Sequence, residues 1–338
     1  MTASIPGIIW IGDHRNSDSM TPIPCPASNA PEIIVGASAN SMTFGSAIAT
    51  TANHIATRAE PARGIPAVPV GVVSKRYQLV PHAEAAVHIE DRGLQFADAI
   101  YEVCAVTGGQ MLEEDEHLDR LERSLRELRM PMPMARGALK IAMREMLRRN
   151  RLKEGLLYLQ VTRGACRRDH PIPAKVRPTL IMTARNLNPA ATEKRRAEGV
   201  AVITVPDIRW GRCDIKTTGL LANVLAKTQA REAGAYEAWL VDGQGFVTEG
   251  SSTNAWIVTQ DGTVVTRPLG PDILPGVTRD AVMRALTTAG IPVRERPFTV
   301  AEAKAAREAF FTSATAILFV SGSMGMLMFG PRAYAMPQ

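Results

Sequence analysis

Hydrophobic positions recur at two spacings along this chain, and the change from one to the other marks its elements. Leu118, Leu121, Leu125 and Leu128 follow one another at helical intervals behind an acidic turn that opens at Asp115. The dipole at a helix N-terminus favours negative charge there, so the spacing predicts a helix. Further helices are expected over 220–232, 278–289 and 300–307. Residues 156–162 alternate between apolar and polar and predict a strand, as do the runs 200–205, 237–241, 255–258 and 264–266. Asp242-Gly243 and Asp261-Gly262 supply turns between strands. Upstream, 87–90 reads as a short strand, Asp91-Arg92-Gly93 as a turn, and 94–106 as a broken pair of strands closing at Gly108-Gly109. Strands and helices mix without regular βαβ alternation, which predicts an α+β fold rather than a doubly wound parallel sheet.

Composition narrows the class. At 338 residues, 46% apolar and 21% charged, the chain has the make-up of a globular protein with two domains and an appendage. Residues 1–70 are rich in Pro, Ala, Ser, Thr and Gly without an apolar period, and are expected to form a disordered extension. A small α/β domain over 71–190 and a larger domain over 191–338 are expected to follow. Lys and Arg outnumber Asp and Glu, 39 to 33, and much of the excess lies in 136–153. That stretch carries Leu139, Ile141, Met143, Met146 and Leu147 at helical spacing and no stacking aromatics, so it reads as a solvated helix face and not as a nucleic-acid surface.

Cys25, Cys104, Cys166 and Cys213 form no CxxC pair, and residues 1–40 show no export signal, which together predict a cytoplasmic protein without a disulfide framework. Residues 309–331 carry no charge and are long enough to cross a bilayer, but their Ser, Thr and Gly content reads instead as a buried strand entering a polar loop, with no membrane partner.

Three segments carry possible chemistry. Lys216, in Trp210-Gly211-Arg212-Cys213-Asp214-Ile215-Lys216, lies between a predicted strand and helix, where a desolvated amine could form a Schiff base; an ordinary surface lysine is the competing reading. Arg168 and His170 stand two apart, and in an extended segment would face the same way and hold a carboxylate; an ordinary loop is the alternative. Glu249, in Thr248-Glu249-Gly250-Ser251-Ser252, is a carboxylate among small polar residues, and equally a turn.

Together these segments resemble the fold-type IV pyridoxal-phosphate (PLP) enzymes, which include D-amino acid aminotransferases, branched-chain aminotransferases and aminodeoxychorismate lyases. The resemblance spans about 75–315. It is carried by Asp91-Arg92-Gly93, residues 96–102, His117-Leu118-Asp119-Arg120-Leu121, Thr162-Arg163-Gly164, 212–216, Thr248-Glu249-Gly250, 274–279 and Thr312-Ser313, all in the family's order.

The resemblance implies a role for each site residue. Lys216 carries PLP and acts as the base at the substrate Cα. Glu249 pairs with the pyridine nitrogen. Arg120, the amides of Val277 and Thr278, and the Ser313 loop hold the phosphate, and Leu274 packs on the ring. Arg168, His170 and Tyr101 match the carboxylate trap of the D-amino acid aminotransferases, in which Arg and His cross a homodimer interface. The implied reaction is amino transfer between a D-amino acid such as D-alanine and a 2-oxo acid such as 2-oxoglutarate. A branched-chain aminotransferase, a lyase and a paralogue without turnover are the alternatives.

Two departures accompany the resemblance. Ala99 stands where glycine is usual, which would cost stability if that position needs a positive φ. The Met- and Gly-rich end after Thr315 differs from the family's hairpin and terminal helix, and is expected to be a truncated or altered tail.

Overall fold

The computed structural model describes residues 69–73 and 78–320. Residues 69–186 build a six-stranded antiparallel sheet with helices packed on it. In chain order its elements are β1 (Pro69–Val73), β2 (Gln78–Pro81), α1 (Arg92–Phe96), β3 (Ala99–Thr107), β4 (Gln110–Met111), α2 (Glu114–Glu127), α3 (Arg136–Asn150), β5 (Gly155–Thr162) and β6 (Thr179–Asn186). The strand order is β2-β1-β6-β5-β3-β4. Side chains alternate across a strand, so Ile100, Cys104 and Val106 of β3 are buried against Leu118, Leu121 and Leu125 of α2 and Leu139, Met143 and Met146 of α3. Tyr101, in the opposite phase, is left for another task.

The following elements are α4 (Pro189–Glu198), β7 (Val202–Pro206), α5 (Leu221–Glu232), β8 (Glu237–Val241), β9 (Val247–Gly250), β10 (Asn254–Val258), β11 (Val264–Thr266), α6 (Val277–Thr288), β12 (Val293–Glu295), α7 (Val300–Ala305), β13 (Glu308–Ser313) and β14 (Ala316–Phe319). They form a three-stranded sheet, β7-β8-β9, and a five-stranded sheet, β12-β11-β10-β13-β14. Trp239, Val247, Ala255, Ile257, Phe298 and Phe311 share one core between them. The pairs β7/β8 and β11/β12 are parallel and the others antiparallel, the mixed α+β architecture that the pattern predicts.

Several local expectations are corrected. Residues 87–90 form no strand. Asp91-Arg92-Gly93 opens α1 instead of a turn between strands: the Asp91 carboxylate accepts from Gly93 N at 2.8 Å and caps the helix, which closes at Ala97 with φ 53°. Leu94 and Phe96 imitate a strand alternation inside this short helix. The left-handed residue is therefore Ala97, while Ala99 is a fully buried strand residue where glycine is not required. Helix α7 stops at Ala305, because Ala306 is extended. Arg168 and His170 lie in a bent loop, not an extended segment. Strands β2, β4, β6, β9 and β12 and helix α4 escaped the pattern, and Glu249 lies on strand β9 rather than in a turn.

The sheet also begins earlier than the composition suggests. Pro69 pairs with Pro81, and Gly71 with Met182, so β1 stands between β2 and β6. The rest of the predicted extension, and the tail beyond 320, lie outside the described residues. At the start of that tail β14 pairs antiparallel with β13, Ser313 opposite Ala316. Among the described residues no helix is long and apolar enough to cross a membrane.

Candidate active site

The turn Leu274-Pro275-Gly276-Val277, between β11 and α6, is held from three directions. Leu274 N donates to Glu249 Oε2 at 3.1 Å. Asn254 Nδ2 donates to Leu274 O at 2.9 Å and to Glu249 Oε2 at 2.9 Å. Arg120 Nη1, arriving from α2, donates to Pro275 O at 2.9 Å. Gly276 rests directly on Asn254, and a Cβ there would lie 2.1 Å from Asn254 Oδ1. The turn then runs into α6, whose N-cap, Gly276, has no side chain to cap the first amides of the helix, which leaves them without an intrahelical or capping partner, as an anion site would require. Thr278 Oγ1 donates to Ser313 O at 3.0 Å, and Ser313 Oγ is 3.0 Å from Thr315 Oγ1, which brings the loop after β13 to the same helix end.

Lys216 lies in the segment joining β7 to α5. Its carbonyl accepts from Tyr101 N at 2.9 Å, and Thr218 N donates to Ala99 O at 3.1 Å, so β3 fixes the backbone on both sides of the lysine. Nζ stands 4.2 Å from the centre of the Tyr101 ring. Tyr101 stacks on Tyr158 at 5.7 Å. The preceding residues are clamped to α2: Arg123 donates to Asp214 O at 2.8 Å and to Asp214 Oδ2 at 2.6 Å, and Arg212 Nε donates to Asp214 Oδ1 at 2.8 Å. Arg120 and Arg123, three residues apart on one helix face, thus hold the two sides of the site.

Two buried glutamates flank Lys216 and behave oppositely. Burial opposes ionisation of Glu102, but the Arg120 charge and hydrogen bonds, the His117 bond and the Lys216 charge outweigh it and hold the carboxyl at about 2. Arg120 reaches both Glu102 oxygens, at 2.8 and 2.7 Å, and His117 Nδ1 is 2.8 Å from Oε2. For Glu249, burial prevails over Arg209, the Leu274 amide and Lys216, and pushes the carboxyl up to about 7. Arg209 Nη1 donates to Glu249 Oε1, and is itself tied to Asp207 by bonds of 2.9 and 2.7 Å.

These geometries fit PLP. Ionised Glu249 offers about four acceptor positions, and its hydrogen bonds from Arg209, Asn254 and Leu274 leave one for a pyridinium N–H. A cation there also relieves the burial penalty on the carboxylate. Arg120 commits three of its five N–H groups, to Glu102 twice and to Pro275, and keeps two for a phosphate beside the α6 amides.

The structure therefore brings Lys216, Tyr101, Arg120, Glu249, Leu274, Val277, Thr278 and Ser313 to linked positions. Arg168 and His170 are placed elsewhere, exposed on the loop after β5, with the Arg168 guanidinium 4.9 Å from the centre of the Phe96 ring and the His170 ring 5.5 Å from it. Sequence reading missed Arg209, Asn254 and Glu102 as parts of the site. Their motif neighbours were the available signal, but their partners are distant in the chain.

Comparison with known proteins gives a consistent picture. Residues 99–321 match the family model described as amino-transferase class IV. The chain is 40% identical over 239 residues to a D-alanine aminotransferase of Bacillus licheniformis, covering 71% of this chain and 83% of that protein. Among solved structures, the branched-chain aminotransferase of Thermoproteus uzoniensis with norvaline superposes with a TM-score of 0.68 at 27% identity, covering 79% of this chain and 91% of that one. The T.th. branched-chain amino acid aminotransferase with pyridoxamine 5'-phosphate also gives 0.68 at 27% identity, covering 76% and 86%.

Proposed function

The chain belongs to the class IV amino-transferases, and on that basis we propose that this PLP-dependent enzyme moves amino groups between a D-amino acid, D-alanine among them, and a 2-oxo acid such as 2-oxoglutarate. The observation that carries the reading is the Leu274–Val277 turn, which ties the Glu249 carboxylate, the Arg120 guanidinium and the N-terminus of α6 into one cradle.

Bound PLP supplies an electron sink for the pair left when a substrate Cα–H bond breaks. The chain's residues do the rest. Lys216 Nζ would hold the cofactor and, once freed, would carry the proton from the substrate Cα to the cofactor's C4′, the shift that amino transfer requires. Tyr101 backs that amine. Glu249 keeps the pyridine nitrogen protonated, while Arg209 and Asn254 fix the direction of the carboxylate. Arg120, Val277, Thr278 and the Ser313 loop would hold the phosphate and Leu274 would pack on the ring, while Glu102 locks the Arg120 fork in place.

Arg168 and His170 are assigned to the substrate carboxylate, in the site of a second copy within a homodimer. Their exposure on a loop supports this, as does the unburied apolar face of α5, with Leu221, Val224 and Leu225 at helical spacing directly after the lysine segment. The handedness rests on this pair and on the D-alanine aminotransferase relatives.

The test is the visible spectrum of the PLP-loaded protein. Bleaching by D-alanine and recovery with 2-oxoglutarate is the expected result. Bleaching by L-leucine alone would replace the reading with a branched-chain activity.

A further inference from the structure

Two motifs have no part in the site described so far, Asp91-Arg92-Gly93 and Thr162-Arg163-Gly164, yet both are buried and dock on each other. Thr162 Oγ1 donates to Asp91 Oδ2 at 2.9 Å, and Thr179 Oγ1 donates to the same oxygen at 2.8 Å. Arg92 N donates to Gly164 O at 2.9 Å. Gly93 is pressed against Thr162, where a Cβ would stand 2.5 Å from the threonine methyl. Gly164 takes φ 103° with Arg177 O so close that a Cβ would lie 1.9 Å from it, so glycine is required there on both counts.

At the centre is Asp98. Its Oδ2 accepts from Arg92 Nε at 2.8 Å and from Arg163 Nε at 2.6 Å. Arg163 spends its other nitrogens on Leu128 O at 2.7 Å and Arg129 O at 3.2 Å, at the end of α2. Arg92 sends its own elsewhere: Nη1 donates to Asp169 O at 2.5 Å and Nη2 to His170 O at 3.3 Å. The same guanidinium lies 4.7 Å from the centre of the Phe96 ring. That ring is also the platform for Arg168 and His170. An arginine buried to this degree has its geometry set by its partners, and a forked donor across two successive carbonyls leaves the loop little freedom.

We propose that Arg92 is a positioning residue for substrate binding: through the Asp169 and His170 carbonyls it holds the Arg168–His170 loop over Phe96 in the pose that receives a carboxylate. The inference rests on the assignment of Arg168 and His170 to the substrate carboxylate. Lysine at position 92 would keep a charge for Asp98 but could not fork across both carbonyls.

The experiment is steady-state kinetics of PLP-loaded Arg92→Lys, Phe96→Leu and Arg168→Ala, with propionate as a competitive carboxylate probe. For Arg92→Lys the KM for D-alanine and the Ki for propionate are expected to rise together by about tenfold, with kcat changed less than about threefold and the cofactor absorbance unaltered. Phe96→Leu, which removes the ring but none of the hydrogen bonds that Arg92 and Arg163 make to Asp98, should raise both constants by about threefold or more and serves if Arg92→Lys does not fold. If Arg168→Ala raises KM and Ki while Arg92→Lys or, failing that, Phe96→Leu leaves them unchanged or lowers only kcat, the positioning role is overturned and the carboxylate assignment stands. If Arg168→Ala itself changes neither constant, both fall.

Discussion

Asn254 and Gly276 meet so closely that the amide side chain occupies the space a Cβ would need, 2.1 Å from Asn254 Oδ1. The same amide donates to Glu249 and to Leu274 O, so one side chain joins the ring end of the cofactor cradle to its phosphate end. Gly276 has φ −69°, so its glycine answers to contact and not to backbone conformation. Gly276→Ala should push Asn254 aside and weaken PLP binding by about tenfold, one misplaced hydrogen-bonding group's worth, read by titrating PLP against its visible absorbance.

Glu249 predicts a pH dependence of stability with a definite sign. Its folded pKa of about 7 lies above the ordinary carboxylate value of 4.5, so between those limits the folded protein retains a proton that the unfolded chain has released. Stability from this group is therefore lost as pH rises from 4.5 to 7, by roughly 3 kcal/mol at the plateau. Glu249→Gln resembles the protonated form at every pH. Melting curves of the two cofactor-free proteins should diverge across this interval, the glutamine variant becoming relatively more stable, and PLP should narrow the gap. Parallel curves would show that the carboxyl is not raised.

Glu102 predicts the opposite. Its carboxyl is held at about 2 in the folded protein, so its contribution is present above about 4.5 and is lost as pH falls toward 2. Glu102→Gln strands a buried Arg120, and removing one partner of such a pair costs about 3–5 kcal/mol. The loss should appear in denaturant unfolding at neutral pH, together with weaker PLP binding, because the freed guanidinium no longer points to the helix end.

Lys216→Ala removes both the covalent anchor and the base. Turnover should fall by at least about 10²–10⁴-fold, the contribution of a positioned acid–base group. Arg209→Met should keep Lys216 and its absorbance band while lowering kcat, since Glu249 loses the partner that orients it.

Strand β1 sets a limit on truncation. A protein beginning at residue 69 keeps the strand between β2 and β6; one beginning at residue 74 loses it and exposes the edge of β6. The shorter protein should aggregate or unfold at a lower temperature than the longer one. Equal melting temperatures would mean that β1 contributes nothing to the sheet.

The elements legible in the sequence are those whose pattern is local and strong. The leucine repeat of α2 needs only a helix with one buried face, and Leu118, Leu121 and Leu125 are buried as it requires. Strands β8 and β11 appear with their expected limits because short apolar runs between turns have few other solutions. Helix α1 is hidden from such a reading because it is a single turn whose start depends on the Asp91 cap, which a strand-like alternation conceals.

For the site, the order of residues is enough to say which side chains are supplied and where along the chain: a lysine before α5, a glutamate within the Thr248–Ser252 run, an arginine on α2 and a helix N-terminus at Val277. Their partners and charge states come from packing between distant segments. Arg120 meets Pro275 across 155 positions, Arg209 meets Glu249 across 40, and Arg92 meets Asp169 across 77. Nothing in the one-dimensional pattern distinguishes Glu102 from Glu249 as acids. The fold does, by surrounding one with cationic donors that overcome its burial and leaving the other's burial only partly offset, so that two carboxyls beside one lysine end near 2 and near 7.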